Sequence, residues 1–517
     1  MSKRLSSLVL MGSLLCAANL NSSAALAQGS LKGQLAGKAE AAAGATVQED
    51  EKLARILGKL QARLDEARLS SKLPGATVGF VLPDGRFGSV STGVSDLGTG
   101  RPLKPSDRLL AGSIGKTFVA AVALLLVEEG KLNLDEKIER LLGNEKWFHH
   151  LPNAKEITLR MLLNHSSGIQ NHVDSSGFIN SMFKSPGRDI RYEELVAYVL
   201  NKKPLFAPGK GHHYSDTNYI LAGLLVEKAT GKTLYDEITE RILKPLKLER
   251  TIPANSRTLP EVATGYFQNR PMIVGGKFIV NPQWEWAGGG FASTAEDLAR
   301  WARALYAGDL LQKKSLDEML NSTTIGEGEG YGLGVEIVRS RWGKSYGHDG
   351  EFPGYLSDMR YYTTHNLVVA VQVNADEEPG VNRFMAGAVD DFAGVIIREI
   401  SGRALGEADQ SSLRKLTESW LQLIDAGRFT ESWEELSDKL RAKFARDKWQ
   451  SALQPFIGKV GKIKTRRFKS ADYSDPETET VTVEFESSFT KFPAASEVVT
   501  LERGKDGRWR VAGYSIH

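Results

Sequence analysis

From Phe118 to Val127 no side chain is polar, and Glu128, Glu129 and Gly130 then close the run as a helix C-terminus closes. A helix apolar on nearly every side must be buried. This segment therefore constrains the fold more than any other. It is opened by Ser113-Ile114-Gly115-Lys116, which follows Ala111-Gly112. Ser113 then sits at the helix N-terminus, and Lys116, three residues on, lies on the same face about one turn away. Desolvation drives a buried lysine towards its neutral form, and a neutral amine can take a hydroxyl's proton. The plainer alternative is a serine that caps the helix. The S-x-x-K spacing recurs at Ser181 to Lys184 and at Ser412 to Lys415, but neither follows a small pair and opens a buried helix.

The chain has 517 residues, enough for two or three domains at about 100 to 200 residues each. With 41% hydrophobic and 25% charged residues its composition is that of a globular protein. Lys3 and Arg4, the apolar stretch Leu5 to Ala18 and the small-x-small site Ala25-Leu26-Ala27 read as a cleavable signal peptide over residues 1–27. A periplasmic or secreted location is expected. Asn19, Asn21, Ser22 and Ser23 break the apolar run short of the roughly 20 residues a membrane span needs, so no transmembrane segment is expected in the mature chain. The single cysteine, Cys16, falls inside the leader after Leu15, which does not suit lipid attachment. A mature chain without cysteine has no disulfide, no thiolate nucleophile and no cysteine-ligated metal. The formal charge of +3 gives no field that would gather nucleic acid.

Residues 28–48, rich in Ala and Gly, read as a linker. Leu53, Ile56, Leu57, Leu60 and Leu64 recur at helical spacing, which predicts a helix over Asp50 to Leu69. Ala76 to Leu82, the turn Pro83-Asp84-Gly85 and Arg86 to Thr92 form a predicted β-hairpin. Strand-like runs return only at Leu333 to Val338, Ser345 to Gly350, Tyr355 to Tyr362 and Leu367 to Asn374, before a helix from Ala386 to Ile400. Strands at both ends of a long helical middle imply one antiparallel sheet, flanked by helices, with a helical domain inserted and a cleft between. After a polar stretch, Gly406 to Ser412, a second α+β module runs to the C-terminus. Trp420 to Ile424 lie in its first helix and Val481 to Phe485 in a strand.

Two further segments carry candidate chemistry. In the loop Pro208 to Asp216, Tyr214 and Asp216 fall on the same side of an extended stretch, ahead of a helix over Tyr219 to Lys228. A phenol there could share the serine's proton and pass it to a leaving group. The bland reading is a helix cap beside a packing tyrosine, and Tyr473-Ser474-Asp475 repeats the triplet elsewhere. In Tyr346-Gly347-His348-Asp349-Gly350, His348 and Gly350 share a strand face, and Gly350 offers no side chain to block a substrate. A lone histidine is more often structural.

Together and in this order, the three segments resemble the serine β-lactamase and penicillin-binding superfamily. The nearest branch is the class C-like one with its D-aminopeptidases, D-alanyl-D-alanine peptidases and esterases. The family's S-x-x-K, Y-x-N and K-T-G or H-x-G motifs fall on Ser113 and Lys116, on Tyr214 to Asp216, and on His348 to Gly350. Ile157 to Gly168, Tyr214 to Gly223 and Gly289 to Leu298 look like the same family, and the resemblance covers roughly Leu73 to Ile400. It implies a β-lactamase/transpeptidase-like fold in which Ser113 attacks a carbonyl and Lys116 and Tyr214 handle protons. The backbone N–H groups of Ser113 and Glu351 would form the oxyanion hole, and Asp216 and Gly350 would meet the substrate. No cofactor is implied. Two departures stand out. Asp216 replaces the common Asn and would hold Lys116 charged. His348 replaces the lysine of true class C β-lactamases and offers a β-lactam carboxylate less than a full charge.

His149-His150 and His212-His213 lack a further ligand at metal spacing. Gly288-Gly289-Gly290 reads as a loop before a helix capped at Ser293 or Thr294, not as a phosphate cradle. Lys459 to Lys469 carries six cations and no acid, which suits an edge strand protected from aggregation; an anionic envelope surface is the minority reading. The C-terminal module resembles a small exported bacterial domain family of unknown function, which implies an α+β fold of the nuclear-transport-factor-2-like kind. The domains expected are 1–27 leader, 28–48 linker, 49–402 serine hydrolase and 403–517 C-terminal domain. The expected activity is an acyl-enzyme hydrolase for an ester or a D-amino-acid peptide or amide. A silent envelope-binding scaffold or a true β-lactamase are the alternatives.

Overall fold

The computed structural model describes residues 49–326, 329–376, 379–401, 405–475, 479–493 and 495–516. The expected leader and linker lie outside them. Residues 49–71 are helical (α1), and from Ile56 onward the chain forms one compact unit. No helix of the described residues is long and apolar enough to cross a membrane.

The predicted hairpin is present as β1 (Gly75–Val81) and β2 (Phe87–Asp96), and Gly85 takes the left-handed φ of +89° in its turn. A short third strand, β3 (Arg101–Pro102), extends it. The distant strands are β4 (Thr323–Gly326), β5 (Glu329–Tyr331), β6 (Glu336–Ser340), β7 (Gly343–Phe352), β8 (Tyr355–Tyr362) and β9 (Leu367–Val373). They join the hairpin in one antiparallel sheet of order β4-β5-β6-β7-β8-β9-β1-β2-β3. Sheet closure therefore pairs Ala76 with Val373 across the whole helical insertion. The piece expected at Ser345 to Gly350 is a full ten-residue strand. The strand expected from Leu333 starts only at Glu336, because Gly334, at φ +72°, turns the chain first.

Every residue of β1 and β9 is buried, since helices cover both faces of the sheet. Three helices dominate the insertion: α2 (Gly115–Glu128), α3 (Asp216–Thr230) and α4 (Ala295–Tyr306). Thr294 caps α4 by accepting from the Asp297 N–H at 3.2 Å, as the sequence suggests. The start of α4 lies directly on β1, where a Cβ on Gly79 would come within 2.3 Å of the Ala295 carbonyl. On the other face lie α1 and α5 (Ala388–Ser401), with Leu57 close to Gly88 and Trp342 close to Gly394.

The apolar helix α2 is enclosed as its composition requires. Phe118, Val119, Val122, Leu124 and Leu126 are fully buried, each worth about 1.5 to 3 kcal/mol by area. Phe118 stacks on Trp301 at 4.3 Å, and the Trp301 indole N–H donates to Thr117 Oγ1 at 2.7 Å. Gly130, at φ +70°, ends the helix.

The C-terminal module has its own apolar core around Trp420, Leu421, Val483, Val499 and Leu501. Its helices include α6 (Glu407–Asp425) and α7 (Arg446–Val460), and its sheet runs β10 (Ile463–Asp475), β11 (Thr480–Phe489), β12 (Ala495–Arg503), β13 (Trp509–Ile516) in that order. Most of the polar stretch Gly406 to Ser412 forms the first turns of α6. From Ile463 onward the basic segment does build an edge strand, whereas Lys459 belongs to α7 and Lys462 precedes the strand. However, Arg466 pairs with Asp425 and Glu497, Arg467 with Glu486, and Lys469 with Asp391 and Glu484. Half of the six cations are thus already matched inside the protein, which weakens the reading as an envelope-binding surface.

The cores are separate, yet an ionic cluster joins them. Asp391 of α5 meets Arg341 at 2.8 Å, Lys469 at 3.0 Å and Arg63 at 3.2 Å, while Glu484 pairs with both Lys469 and Arg341. Burial pushes Asp391 up, but Arg341, Lys469 and Arg63 outweigh it and hold the carboxyl at about 2. A carboxylate with a lowered folded pKa adds stability above its unfolded pKa and loses it as pH falls through the folded value. Asp391→Asn should therefore destabilise the chain by about 2 kcal/mol at pH 7. In urea unfolding, the gap between variant and wild type should close as pH is lowered from 5 towards 2. A gap that is constant over that window would show that the cluster contributes no linkage.

Candidate active site

Ala111 leads into a single 3-10 turn, Gly112–Ile114, which places Ser113 immediately before α2. Gly112 has a left-handed φ of +54°, and a Cβ there would sit 2.5 Å from the Glu351 nitrogen. A glycine is thus required for the nucleophile turn to lie backbone-to-backbone against β7. On the opposite side, a Cβ on Gly289 would meet the Gly112 carbonyl group at 2.6 Å. The Gly288-Gly289-Gly290 segment grips the turn that carries Ser113, a role invisible in the sequence because no side chain marks it.

Lys116 is fully buried. Its Nζ donates to Ser113 Oγ at 2.9 Å, to Asp216 Oδ1 at 2.5 Å and to the Gly288 carbonyl at 2.6 Å. Three acceptors, one of them a carboxylate, match the three N–H bonds of an ammonium. Burial alone therefore does not describe the surroundings of Lys116: a carboxylate lies against its nitrogen, as the departure at position 216 implies. Asp216 is the first residue of α3, and its backbone N–H donates to Asn171 Oδ1 at 3.0 Å.

Tyr214 packs its ring over Lys116, with Nζ 4.8 Å from the ring centroid, and against the His165 ring at 4.3 Å. Its hydroxyl is buried without an aligned hydrogen bond. Burial and the Asp216 carboxylate hold the phenol well above 10, and the Ser113 hydroxyl opposes them. Ser113, Lys116, Tyr214 and Asp216 are thus brought together from two remote segments. The rival S-x-x-K sites are surface features: Lys184, Ser412 and Lys415 are exposed.

The third segment differs from expectation in two residues. Gly350 does not leave room for a substrate; a Cβ there would strike the Ala111 carbonyl at 2.0 Å and Ser357 Oγ at 2.6 Å, so it leaves room for the protein's own nucleophile loop. His348 does not face the cleft with a free nitrogen. It is fully buried, with Nε2 2.9 Å from the Tyr331 hydroxyl and Nδ1 2.6 Å from the Asp349 carbonyl. Burial pushes its pKa down, against the pull of Glu336, which makes it neutral at pH 7. Glu351 keeps its backbone against the nucleophile turn while its side chain is exposed.

Sequence reasoning missed Glu285. It is buried beside Gly289, whose Cβ position lies 2.9 Å from Oε2, and burial pushes its carboxyl up to about 8 against the pull of Lys116. It also missed Glu336, His348 and Asp349 as a cluster whose ligand atoms approach one another closely. Arg360 already occupies Glu336 at 2.7 Å, and His348 Nδ1 is spent on a carbonyl.

Residues 53–394 match the family model described as Beta-lactamase, and residues 416–514 match a protein of unknown function, DUF4019. Penicillin-binding protein 4* of Bacillus subtilis (strain 168) is 28% identical over 305 residues, 56% of this chain and 65% of that protein, just under two thirds of its length. Penicillin-binding protein 4 of Amycolatopsis lactamdurans is 26% identical over 370 residues, covering 67% of this chain and 90% of that protein. Among solved structures, a D-stereospecific amidohydrolase from Streptomyces sp. superposes with a TM-score of 0.57 at 29% identity, over 67% of this chain and 99% of that one. The D-amino acid amidase of Ochrobactrum anthropi SV3 gives a TM-score of 0.57 at 26% identity, with the same coverage. The family match takes in well over half of the residues and all of the sites described above, and on that ground the chain belongs to the beta-lactamase family of serine hydrolases.

Proposed function

We propose that the chain is an exported hydrolase that forms an acyl-enzyme on Ser113, from an ester or from the amide of a D-amino acid. The observation that carries this reading is the 2.9 Å bond from Lys116 Nζ to Ser113 Oγ, with the buried Tyr214 hydroxyl, on which the Ser113 hydroxyl acts, beside it. An ammonium at that distance stabilises the developing alkoxide. Tyr214 is placed to take the serine's proton as it gives its own to the leaving group, so neither residue need be ionised beforehand. The backbone N–H groups of Ser113 and Glu351 would receive the oxyanion. The D-amino acid amide is suggested by the two amidohydrolase structures, each matched over 99% of its length. Export rests on the leader pattern of residues 1–27. A silent scaffold finds support only in the Asp216 contact, which ties Lys116 down.

Intact-mass analysis after treatment with a fluorophosphonate should show one adduct, lost in Ser113→Ala; a folded protein with no adduct would defeat the enzyme reading. Penicillin adducts that persist would favour peptidase over esterase chemistry. Asp216→Asn should raise the rate of Ser113 acylation at neutral pH several-fold, since Lys116 loses its counter-charge. A fall of tenfold or more would instead make the carboxylate a required proton acceptor. Glu285 is neutral below about 8 and ionises above it, adding a negative charge within reach of Lys116 and Glu351. Ester turnover should accordingly fall as pH rises through 8, and Glu285→Gln should remove that alkaline limb.

A further inference from the structure

Trp286 leads into the glycine segment with a left-handed φ of +38°, a conformation that a bulky aromatic residue rarely takes. Such a backbone persists only where its surroundings over-determine it, and a tryptophan that merely filled a core would not need it. Here the surroundings are a two-sided clamp on a buried ring. One face of the indole stacks on Tyr192, from the short helix Tyr192–Ala197, with ring centroids 3.8 Å apart and planes 3° from parallel. The outer edge enters a notch on α3 at Gly223, where a Cβ would come within 2.9 Å of Trp286 Cη2 and of Ala287 Cβ.

That notch is aligned with the catalytic end of the helix. Gly223 lies seven residues after Asp216, two turns on along the same face of α3. The glycine segment follows this face: Trp286 and Ala287 meet Gly223, and the Cβ position of Gly288 lies 3.4 Å from Asp216 Oδ1. Two of the three acceptors of Lys116 Nζ, Asp216 Oδ1 and the Gly288 carbonyl, therefore belong to one packed unit of helix and loop. The exit of the segment is held as well. The Trp286 carbonyl accepts from the Gly290 N–H at 2.8 Å, and the Gly290 carbonyl accepts from the Tyr235 hydroxyl at 3.1 Å. Relaxing Trp286 to a negative φ would rotate the chain just before Gly288 and swing its carbonyl off the lysine.

We propose that Trp286 is a positioning residue for acylation: clamped between Tyr192 and Gly223, its left-handed backbone keeps the Gly288 carbonyl and Asp216 in one fixed relation to Lys116. The effect on acylation rests on Ser113 being the nucleophile; the clamp itself does not.

The test follows the rate and the end point of fluorophosphonate labelling of the full chain by intact mass, with phenyl acetate turnover beside it. Trp286→Phe withdraws the outer ring edge from the notch, and Gly223→Ala fills the notch. Each should slow labelling at least tenfold while the end point stays at one adduct per molecule, and lower kcat for phenyl acetate with KM within twofold. Tyr192→Ala opens the other side of the clamp at a half-buried position, where folding is least at risk, and should slow labelling in the same way. Tyr192→Phe keeps the stacked ring and should label within twofold of wild type. Trp342 enters a comparable notch at Gly394, on the other face of the sheet, where a Cβ would lie 2.7 Å from its Cζ2. Trp342→Phe should therefore lower the urea midpoint yet leave the labelling rate within twofold. In crystals of Trp286→Phe, the Gly288 carbonyl should have left hydrogen-bond distance of Lys116 Nζ. Labelling of Trp286→Phe and Tyr192→Ala at the wild-type rate, whether complete or confined to a folded fraction, would overturn the positioning role, as would an unmoved Gly288 carbonyl. Should the wild-type chain take no adduct, Ser113 fails as the nucleophile, and the position of the Gly288 carbonyl alone decides the clamp.

Discussion

A lysine with no exposure to solvent is a charge taken out of water, at a cost of several kcal/mol unless its surroundings replace the lost hydration. Lys116 receives that replacement from three places in the sequence. These are the serine one turn before it, the carboxylate that starts α3, and a carbonyl from a glycine loop some 170 residues on. The position of that single nitrogen therefore depends on α2, α3 and the Gly288 segment being assembled together. Each of these elements is in turn held by the sheet or by the packing of Phe118 on Trp301. Because the three acceptors leave the ammonium no freedom, Ser113 is aligned at rest, and electrostatic stabilisation does not wait for the protein to rearrange.

Much of this was legible because the physical signals were strong and local. The apolar run of α2 demanded enclosure, Pro83-Asp84-Gly85 demanded a turn, and the alternation of apolar runs at the two chain ends implied one sheet. The pairing of Ser113 with Lys116 follows from helix geometry. Tyr214 and Asp216 were visible as a same-side pair, although only the fold could show that both converge on Nζ. What stayed hidden lay in contacts that side-chain identity does not encode. Gly112, Gly289 and Gly350 matter through backbone atoms that approach where a methyl group would not fit. His348 was placed at the site by the H-x-G motif; one tyrosine from β5, a strand that sequence pattern did not reveal, ties it up as an internal group.

The polar interior behind the cleft also differs from an ordinary apolar core. His165, Asn218, Ser167 and Tyr331 are buried together and hydrogen-bonded to one another. Such networks have little tolerance for partial disruption, since any member left unpaired bears the full desolvation penalty. This accounts for a run such as Leu162 to Gly168 carrying a histidine, two serines and a left-handed residue, His165 at φ +58°, in a place where hydrophobic residues would pack more simply.

The join between the two cores bears on how this chain can be divided. The shift in composition after Ser401 invites a cut there, and separate family matches on either side reinforce the invitation. Yet Glu484 and Lys469 of the C-terminal sheet complete a charge cluster whose other half belongs to α1, α5 and the loop at Arg341. A fragment ending at the composition boundary would keep Arg63 and Arg341 on Asp391 but lose Glu484, the second carboxylate on Arg341, and Lys469 with it. The unit that evolution could shuffle and the unit that can stand alone in water are therefore different lengths of this polypeptide.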